Sequence, residues 1–370
     1  MRTRAAVLRG PHQDWEVTEL ELDPPRDGEV LIRFEVAGLC HSDQHCQTGD
    51  IEPRFPLVGG HEGSGVIEAV GPGVTRVEPG DHVVCAFIPS CGRCRFCSTG
   101  HQNLCDLGLN AVTGALPAGG FRLHQDGEDF GGFAILGTFA QYGTVAEASV
   151  VRIDPDIPLD VAALVSCGVP TGWGSAVYAA KVQPGDTVLV YGVGGIGSNA
   201  VQGARHAGAR NIVAVDPVAL KRETAEQLGA THSAASAEEA QELVTNLTWG
   251  VGADHAILTA GVMHEDIVAA AFSAVRKGGQ VTVTGLGHTT RKTVQVPGSE
   301  LTLFEKRIVG SLFGSANPVY DIPRLLDLYR AGDLKLDELI TRRYPLDEIN
   351  QGYRDMLDGR NIRGLIVHEH

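Results

Sequence analysis

The sequence predicts an α/β chain of two domains, one β-rich and the other a doubly wound parallel sheet. Three observations point there. Up to about residue 160, short strand-like runs alternate with Gly and Pro turns and show little helical period. From about residue 170, strand-like and helix-like segments alternate, the pattern of a parallel sheet with helices on both faces. A G-x-G-x-x-G string at 192–197 stands where the first of those strands enters the first helix. The length of 370 residues also suits two domains at roughly 100–200 residues each.

In chain order, residues 30–37 alternate in part and are rich in β-branched side chains, so they read as a strand. Similar runs occur at 65–70 and 82–87, with the turn Pro79-Gly80-Asp81 between them. The run 187–191 (Thr-Val-Leu-Val-Tyr) is apolar throughout, as a strand buried on both faces must be. A helical pattern then reaches Gly208, with Ile196, Ala200, Ala204 and Ala207 on one face. Strands follow at 211–216, 256–259, 280–285 and 307–312, with helices at 220–228 and 267–275. From Asp321 onward the chain reads as helical and polar, closing on an apolar run at 365–367.

Composition excludes several classes. With 43% hydrophobic and 20% charged residues the chain should fold as a soluble globule. The 47 glycines follow no G-x-y period, so collagen is out. No apolar run reaches the roughly 18 residues of a membrane span. Arg9 interrupts the N-terminal stretch before any secretory core could form. The net charge of −15 repels phosphate backbones, and no basic block offsets it, which argues against general nucleic-acid binding. The expected setting is the cytoplasm, where thiols stay reduced.

Four of the eight cysteines fall in one short stretch: Cys91, Cys94, Cys97 and Cys105, spaced C-x2-C-x2-C-x7-C. Neighbours this close rarely meet the geometry of a disulfide, but four thiolates can wrap one tetrahedral ion. Structural zinc is the leading reading. An iron–sulfur cluster and metal-free reduced thiols are the alternatives.

The glycine string has its own chemistry. Gly192 permits a tight turn, Gly194 lets backbone approach a pyrophosphate, and Gly197 lets helix and strand pack closely. Gly195 and Ile196 complete the loop, and the helix that opens there offers free N–H groups to phosphate. Asp216 lies 24 residues past Gly192, at the end of the next strand. Its carboxylate suits two ribose hydroxyls and repels a 2′-phosphate, which favours NAD over NADP. Together these predict a Rossmann domain. A ligand-free glycine turn is the alternative.

Cys40, His61 and Cys167 are metal-capable too, but 127 residues separate Cys40 from Cys167 and no spacing rule joins them. By themselves Gly59-Gly60-His61-Glu62-Gly63 and Cys40-His41-Ser42-Asp43 read equally well as a satisfied buried histidine and a capped turn.

Taken together, four motifs resemble the zinc-dependent medium-chain alcohol dehydrogenases along nearly the whole chain. They are Gly60-His61-Glu62-x-x-Gly65, the four-cysteine loop, Cys167-Gly168-x-x-Thr171-Gly172 and the 192–197 fingerprint. Cys105-Asp106-Leu107-Gly108 and Gly137-Thr138-Phe139 further resemble bacterial members that hold their nicotinamide tightly and use dye-like or carbonyl acceptors. The resemblance implies a GroES-like catalytic domain over 1–168 and 312–370, and a dinucleotide-binding domain over 169–311. It implies two zinc ions per chain, one of them catalytic and held by Cys40, His61 and Cys167 with a fourth position open. The reaction implied is hydride exchange between a primary or secondary alcohol and NAD.

The resemblance also assigns neighbouring roles. Ser42 would take the alcohol proton and pass it through the cofactor ribose to His45, near solvent. Asp43 would orient a ligand imidazole, and Glu62 would adjust the metal's coordination. Thr171 would line the nicotinamide, Lys221 contact the adenosine ribose and Arg363 the pyrophosphate, with Gly285 also at the cofactor. Where the best-known members carry a pyrophosphate-binding arginine, this chain has His41, a weaker phosphate contact. Ile51, Phe87 and Phe133 fall at pocket-lining positions and favour an apolar alcohol. Gly49 and Ile51 stand where glutathione-linked members place acidic side chains, which argues against that activity. Cys46 and Cys85 read as small buried thiols.

The partner expected is a small alcohol or aldehyde. A homodimer is expected because the long segment between Cys105 and Cys167 resembles that of dimeric members, and from the apolar strand at 308–313, with a tetramer as the alternative. Two other readings compete: a zinc-free reductase of activated double bonds, and a zinc-module scaffold. The complete Cys40, His61 and Cys167 trio argues against the first, and the nucleotide fingerprint against the second.

Overall fold

The computed structural model describes residues 1–261, 265–286 and 293–370. Two compact units are present: Met1–Cys167 together with Asn317–His370, and Gly168–Ala316.

In the second unit, parallel strands follow the order His232–Ala234, Asn211–Val215, Thr187–Tyr191, Ala253–Leu258, Val275–Val283, Arg307–Gly310. The order reverses beside Thr187–Tyr191, the switch point at which doubly wound sheets bind ligands beyond their strand C-termini. Strand periodicity sorts the core into two layers. Val188, Val190, Ile212, Ala214 and Ile257 pack with Ala200, Val201 and Ala204 of the helix Gly195–His206. Leu189, Tyr191, Val213, Ala256 and Leu258 point the other way, onto Val244, Val268 and Phe272. Every residue of Thr187–Tyr191 is buried, as its unbroken apolar run requires.

The first unit is β-rich. One closed barrel joins Arg2–Leu8, Glu16–Leu22, Leu123–Gln125, Glu128–Gly132 and Leu57–Val58. A second sheet is built around Glu29–Gly38, which pairs antiparallel with Gly63–Val70, Tyr142–Ala146 and Arg363–Val367. In its register Ala37 lies opposite Gly63, and Gly38 lies opposite Leu365. Three strand ends therefore meet at one place, and they carry Cys40, His61 with Glu62, and Arg363.

Two elements differ from the sequence reading. His41–Thr48 is a helix, though its residues carry no apolar stripe; the side chains it buries are Asp43, Gln44, His45 and Cys46. The C-terminal segment is not all helical. Ile340–Pro345 is a strand, parallel to Arg363–Val367, and its exposed Thr341, Arg342 and Arg343 hide the strand pattern. No helix among the described residues is long and apolar enough to cross a membrane.

His368, just past the last strand, is 4% exposed and donates from Nε2 to Thr138 O at 3.0 Å. Burial pushes its pKa from 6.5 down to about 4. The folded value lies below the unfolded one, so the unfolded chain takes up this proton first. The stability His368 contributes is whole above pH 6.5 and is lost as pH falls toward 4, at up to about 1.4 kcal/mol per pH unit. His368→Gln keeps a donor and removes the titration. Its unfolding midpoint in urea should fall less steeply than the parent's over that window. Parallel curves would show that His368 does not carry this dependence.

Candidate metal centres and nucleotide loop

Ser166 brings the remote cysteine into place. Its hydroxyl accepts from Gly63 N at 2.9 Å and donates to Gly63 O at 3.0 Å, so residue 167 is pinned beside the turn that carries His61. The Cys40, His61, Glu62 and Cys167 ligand atoms then all lie within 4.8 Å of one another, and all four residues are buried.

Asp43 holds the imidazole from behind. Its Oδ1 accepts from Gly60 N at 2.7 Å, and its Oδ2 lies 2.9 Å from His61 Nδ1. That second approach is a close polar contact. It places the ring proton on Nδ1, because a carboxylate only accepts. Nε2 is left buried with no hydrogen-bond partner among the described residues. Phe87 and Phe133 meet the ring edge-on, with centroids 5.7 and 5.4 Å away.

The electrostatics are those of a site built for a cation. The Cys167 side chain donates to Cys40 and, with His61 and Arg363 nearby, holds the Cys40 thiol well below its ordinary pKa against the cost of burial. Burial opposes charge on His61, yet Asp43 and Cys40 outweigh it and hold its pKa up at about 10. Burial pushes the Asp43 carboxyl up. A buried nitrogen without a partner beside two sulfurs is the donor set of a zinc ion, and the residues fit one.

Glu62 turns one carboxylate oxygen to Arg363, in an ion pair that is almost fully buried. Gly38 makes the room, since a Cβ there would run into both side chains. Sequence reasoning missed this pair. The other Glu62 oxygen is buried without a hydrogen-bond partner among the described residues. Ser42 Oγ lies 3.7 Å from Cys40 Sγ. His45 is 3% exposed, more deeply set than the near-solvent position expected of it. His41 opens the same helix and Ile51 follows it, its N–H bonded to His45 O at 3.1 Å. Cys46 and Cys85 are fully buried, and burial raises both thiols, Cys85 to about 12.

The four-cysteine loop forms a second cluster, with ligand atoms again within 4.8 Å of one another. All eight cysteines are free thiols, so the loop is not a disulfide knot. Backbone amides feed the sulfurs: Cys94 N donates to Cys91 Sγ at 3.3 Å and Cys97 N to Cys94 Sγ at 3.4 Å. Amides of Cys97 and Asp106 bring the Cys94 thiol down to about 6, while burial pushes Cys97 up to about 12. The Cys94 thiolate forms readily while Cys97 and Cys105 resist joining it, which is the condition a divalent ion relieves.

In the second unit Gly192 has φ 82°, and a Cβ on it would press on the Ala260 backbone. A Cβ on Gly197 would strike Gly192 and Thr259. At Gly194 the same test meets open space, the side on which a phosphate could approach. Gly195 and Ile196 begin the helix. Asp216 is 5% exposed and accepts from Val193 N at 3.1 Å and Val218 N at 2.9 Å, so the carboxylate also props the glycine loop. Lys221 lies in the helix Ala219–Gln227, on the chain just after it. Thr171 keeps a buried hydroxyl without a hydrogen-bond partner among the described residues. Gly285 lies past the strand Val275–Val283 and donates to Leu258 O at 2.9 Å.

Comparison with known proteins adds the family. Residues 26–155 match the alcohol dehydrogenase GroES-like domain, and residues 195–331 match the zinc-binding dehydrogenase domain. The chain is 59% identical to the NDMA-dependent alcohol dehydrogenase of Amycolatopsis methanolica, over 100% of this chain and 99% of that one. The chain belongs to the zinc-dependent medium-chain alcohol dehydrogenases. Within that family it is 46% identical to alcohol dehydrogenase B of Mycobacterium tuberculosis, over 99% of this chain and 98% of the other. The solved benzyl alcohol dehydrogenase of Acinetobacter calcoaceticus superposes with a TM-score of 0.92 at 32% identity, covering 100% of both chains. These dehydrogenases are oxidoreductases, and the GroES-like and Rossmann-like folds of this chain are theirs.

Cys97→Ser should roughly halve the zinc bound per chain and lower the thermal unfolding midpoint, because three thiolates hold a structural ion less well than four. Zinc content by atomic emission, read beside the unfolding curve, checks this. Zinc unchanged from the parent's would remove the four-cysteine site.

Proposed function

We propose that this chain oxidises primary or secondary alcohols, reversibly, with zinc at Cys40, His61 and Cys167 and with NAD in the second unit. The observation that carries the proposal is the convergence of those three remote side chains, with Glu62, into one buried cluster. When bound, zinc supplies a Lewis acid for the alcohol oxygen and the nicotinamide supplies the hydride acceptor.

The chain's own residues do the rest. Asp43 fixes the His61 tautomer so that Nε2 offers its lone pair to the metal. Phe87 and Phe133 hold the ring and, with Ile51, keep the substrate side apolar, which favours a hydrophobic alcohol. Ser42 would take up the alcohol proton, and His45 would receive it on its way to solvent. Glu62, gripped by Arg363, stands ready at the cluster as a fourth donor, through oxygen. Arg363 and His41 serve the pyrophosphate, Thr171 the nicotinamide, and Asp216 with Lys221 the adenosine ribose. Gly192, Gly194, Gly195, Ile196 and Gly197 receive the phosphates, with Gly285 beside them.

The likeness to an NDMA-dependent enzyme supports a cofactor that stays bound between turnovers while an external acceptor reoxidises it. A homodimer in the cytoplasm completes the reading.

Absorbance of the protein as purified, in the band of reduced nicotinamide, tests retention directly. The band should survive gel filtration and bleach on addition of NDMA. Its absence, with activity that requires added NAD, would replace retention by ordinary cofactor exchange. Cys40→Ala should abolish turnover while the fold and NAD binding persist; normal alcohol oxidation by that variant would remove the catalytic zinc assignment. Asp216→Gly should shift the NAD-to-NADP preference by about tenfold or more, the effect of losing roughly 1.4 kcal/mol of discrimination. An unchanged ratio would separate Asp216 from the ribose and leave it the loop-propping role alone.

A further inference from the structure

A glycine turn receives phosphate only if its carbonyls point elsewhere, and a buried carbonyl must still find a donor. The turn at 192–194 meets that demand with side chains from outside the fingerprint glycines. Thr259 follows the strand Ala253–Leu258 and stands 67 residues past Gly192. Its N–H donates to Tyr191 O at 2.9 Å, which leaves its hydroxyl proton for Gly192 O at 2.6 Å. Ser198, in the first turn of the helix Gly195–His206, donates from Oγ to Val193 O at 3.1 Å. Its N–H donates to Gly194 O at 2.9 Å. Both side chains are buried. A Cβ on Gly197 would press into Thr259 Oγ1 and Gly192 O, so that glycine lets the hydroxyl reach its carbonyl. The amides are sorted as well. Gly192 N donates to Val215 O and Val193 N to Asp216 Oδ2. The N–H groups that open the helix have no intrahelical acceptor, and the space beside Gly194 is open.

Resting on the reading of this loop as the pyrophosphate site of NAD, we infer that Thr259 and Ser198 are its positioning residues. Each hydroxyl captures one carbonyl of the turn and so keeps the amide side toward the cofactor phosphates. Both act through the backbone, because each hydroxyl's one proton is already committed to a carbonyl. Without the two donors, Gly192 O and Val193 O would be buried and unsatisfied, which costs more than the hydrogen bonds themselves contribute. Their peptides would relieve that by rotating toward water, and the open side at Gly194 is the side the phosphates need. Binding would then have to reverse the rotation. A turn held beforehand in its bound shape avoids that cost and releases its ligand more slowly. The glycines permit the turn; the two hydroxyls select one orientation of it.

The test follows NADH leaving the zinc-loaded full chain. Protein carrying NADH is mixed with lactate dehydrogenase and excess pyruvate, which oxidise any NADH set free. The slow loss of absorbance gives the release rate. Thr259→Val keeps the side-chain shape and removes the hydroxyl. Release should quicken about tenfold, the scale of one buried acceptor left unpaired. Thr259→Ser restores the donor and should stay within about twofold of the parent. Ser198→Ala should quicken release about threefold or more. The double variant should be faster than either single one.

Parent-like release from the double variant would overturn the inference, with the nucleotide site standing. A lowered unfolding midpoint in that variant, with release unmoved, is the mark of a merely structural role and overturns it in the same way. Equal quickening in Thr259→Val and Thr259→Ser would overturn it as well, because the hydroxyl would then not be the cause. Should Thr259→Val fold poorly, Ser198→Ala decides: quickened release supports the inference and parent-like release overturns it. A parent that holds no NADH at all would remove the nucleotide reading itself, and the inference with it.

Discussion

Six side chains able to carry charge sit almost wholly out of water at one end of one sheet. They are Cys40, Asp43, His61, Glu62, Cys167 and Arg363. Withdrawing an ion from water costs several kcal/mol, and only well-placed opposite charge offsets that. The first unit is arranged around this constraint. Asp43 answers His61, and Arg363 answers Glu62. Two sulfurs and one nitrogen remain, the donor set that the proposed zinc would fill. Local details of the backbone serve the same end. Gly38 leaves room for the Glu62–Arg363 pair, Gly60 turns its N–H onto Asp43, and Ser166 clamps the Gly63 peptide from both sides.

The second unit solves a different problem with little charge. Its sheet is apolar on both faces, and the nucleotide site proposed for it is built mostly from backbone. Gly192 and Gly197 are tight because strand, loop and helix crowd them, whereas Gly194 opens onto free space. Asp216 supports the loop through Val193 N and Val218 N while leaving further lone pairs for a ligand. Recognition of a dinucleotide by amides and a helix terminus needs few distinctive side chains, which is why the fingerprint is mostly glycine.

Local features were the legible ones. The strand Thr187–Tyr191 and its glycine turn are contiguous, and their periodicity and spacing carry their own explanation. The four-cysteine loop is legible for the same reason. The buried trio is not: Cys40, His61 and Cys167 come together only through strand register and the Ser166 clamp, so a family resemblance had to supply them. The helix His41–Thr48 was hidden because it buries polar residues in place of an apolar stripe. Ile340–Pro345 was hidden by the arginines it turns outward. The Glu62–Arg363 pair joins residues from opposite ends of the chain, and a glycine at position 38 was its one trace in the sequence.

Anomalous diffraction from crystals of the purified protein, collected on either side of the zinc absorption edge, reads the buried charge balance most directly. A zinc peak bounded by the Cys40 and Cys167 sulfurs and His61 Nε2, beside a second inside the cysteine loop, is the result expected. A peak in the loop with none between those three side chains would contradict the account.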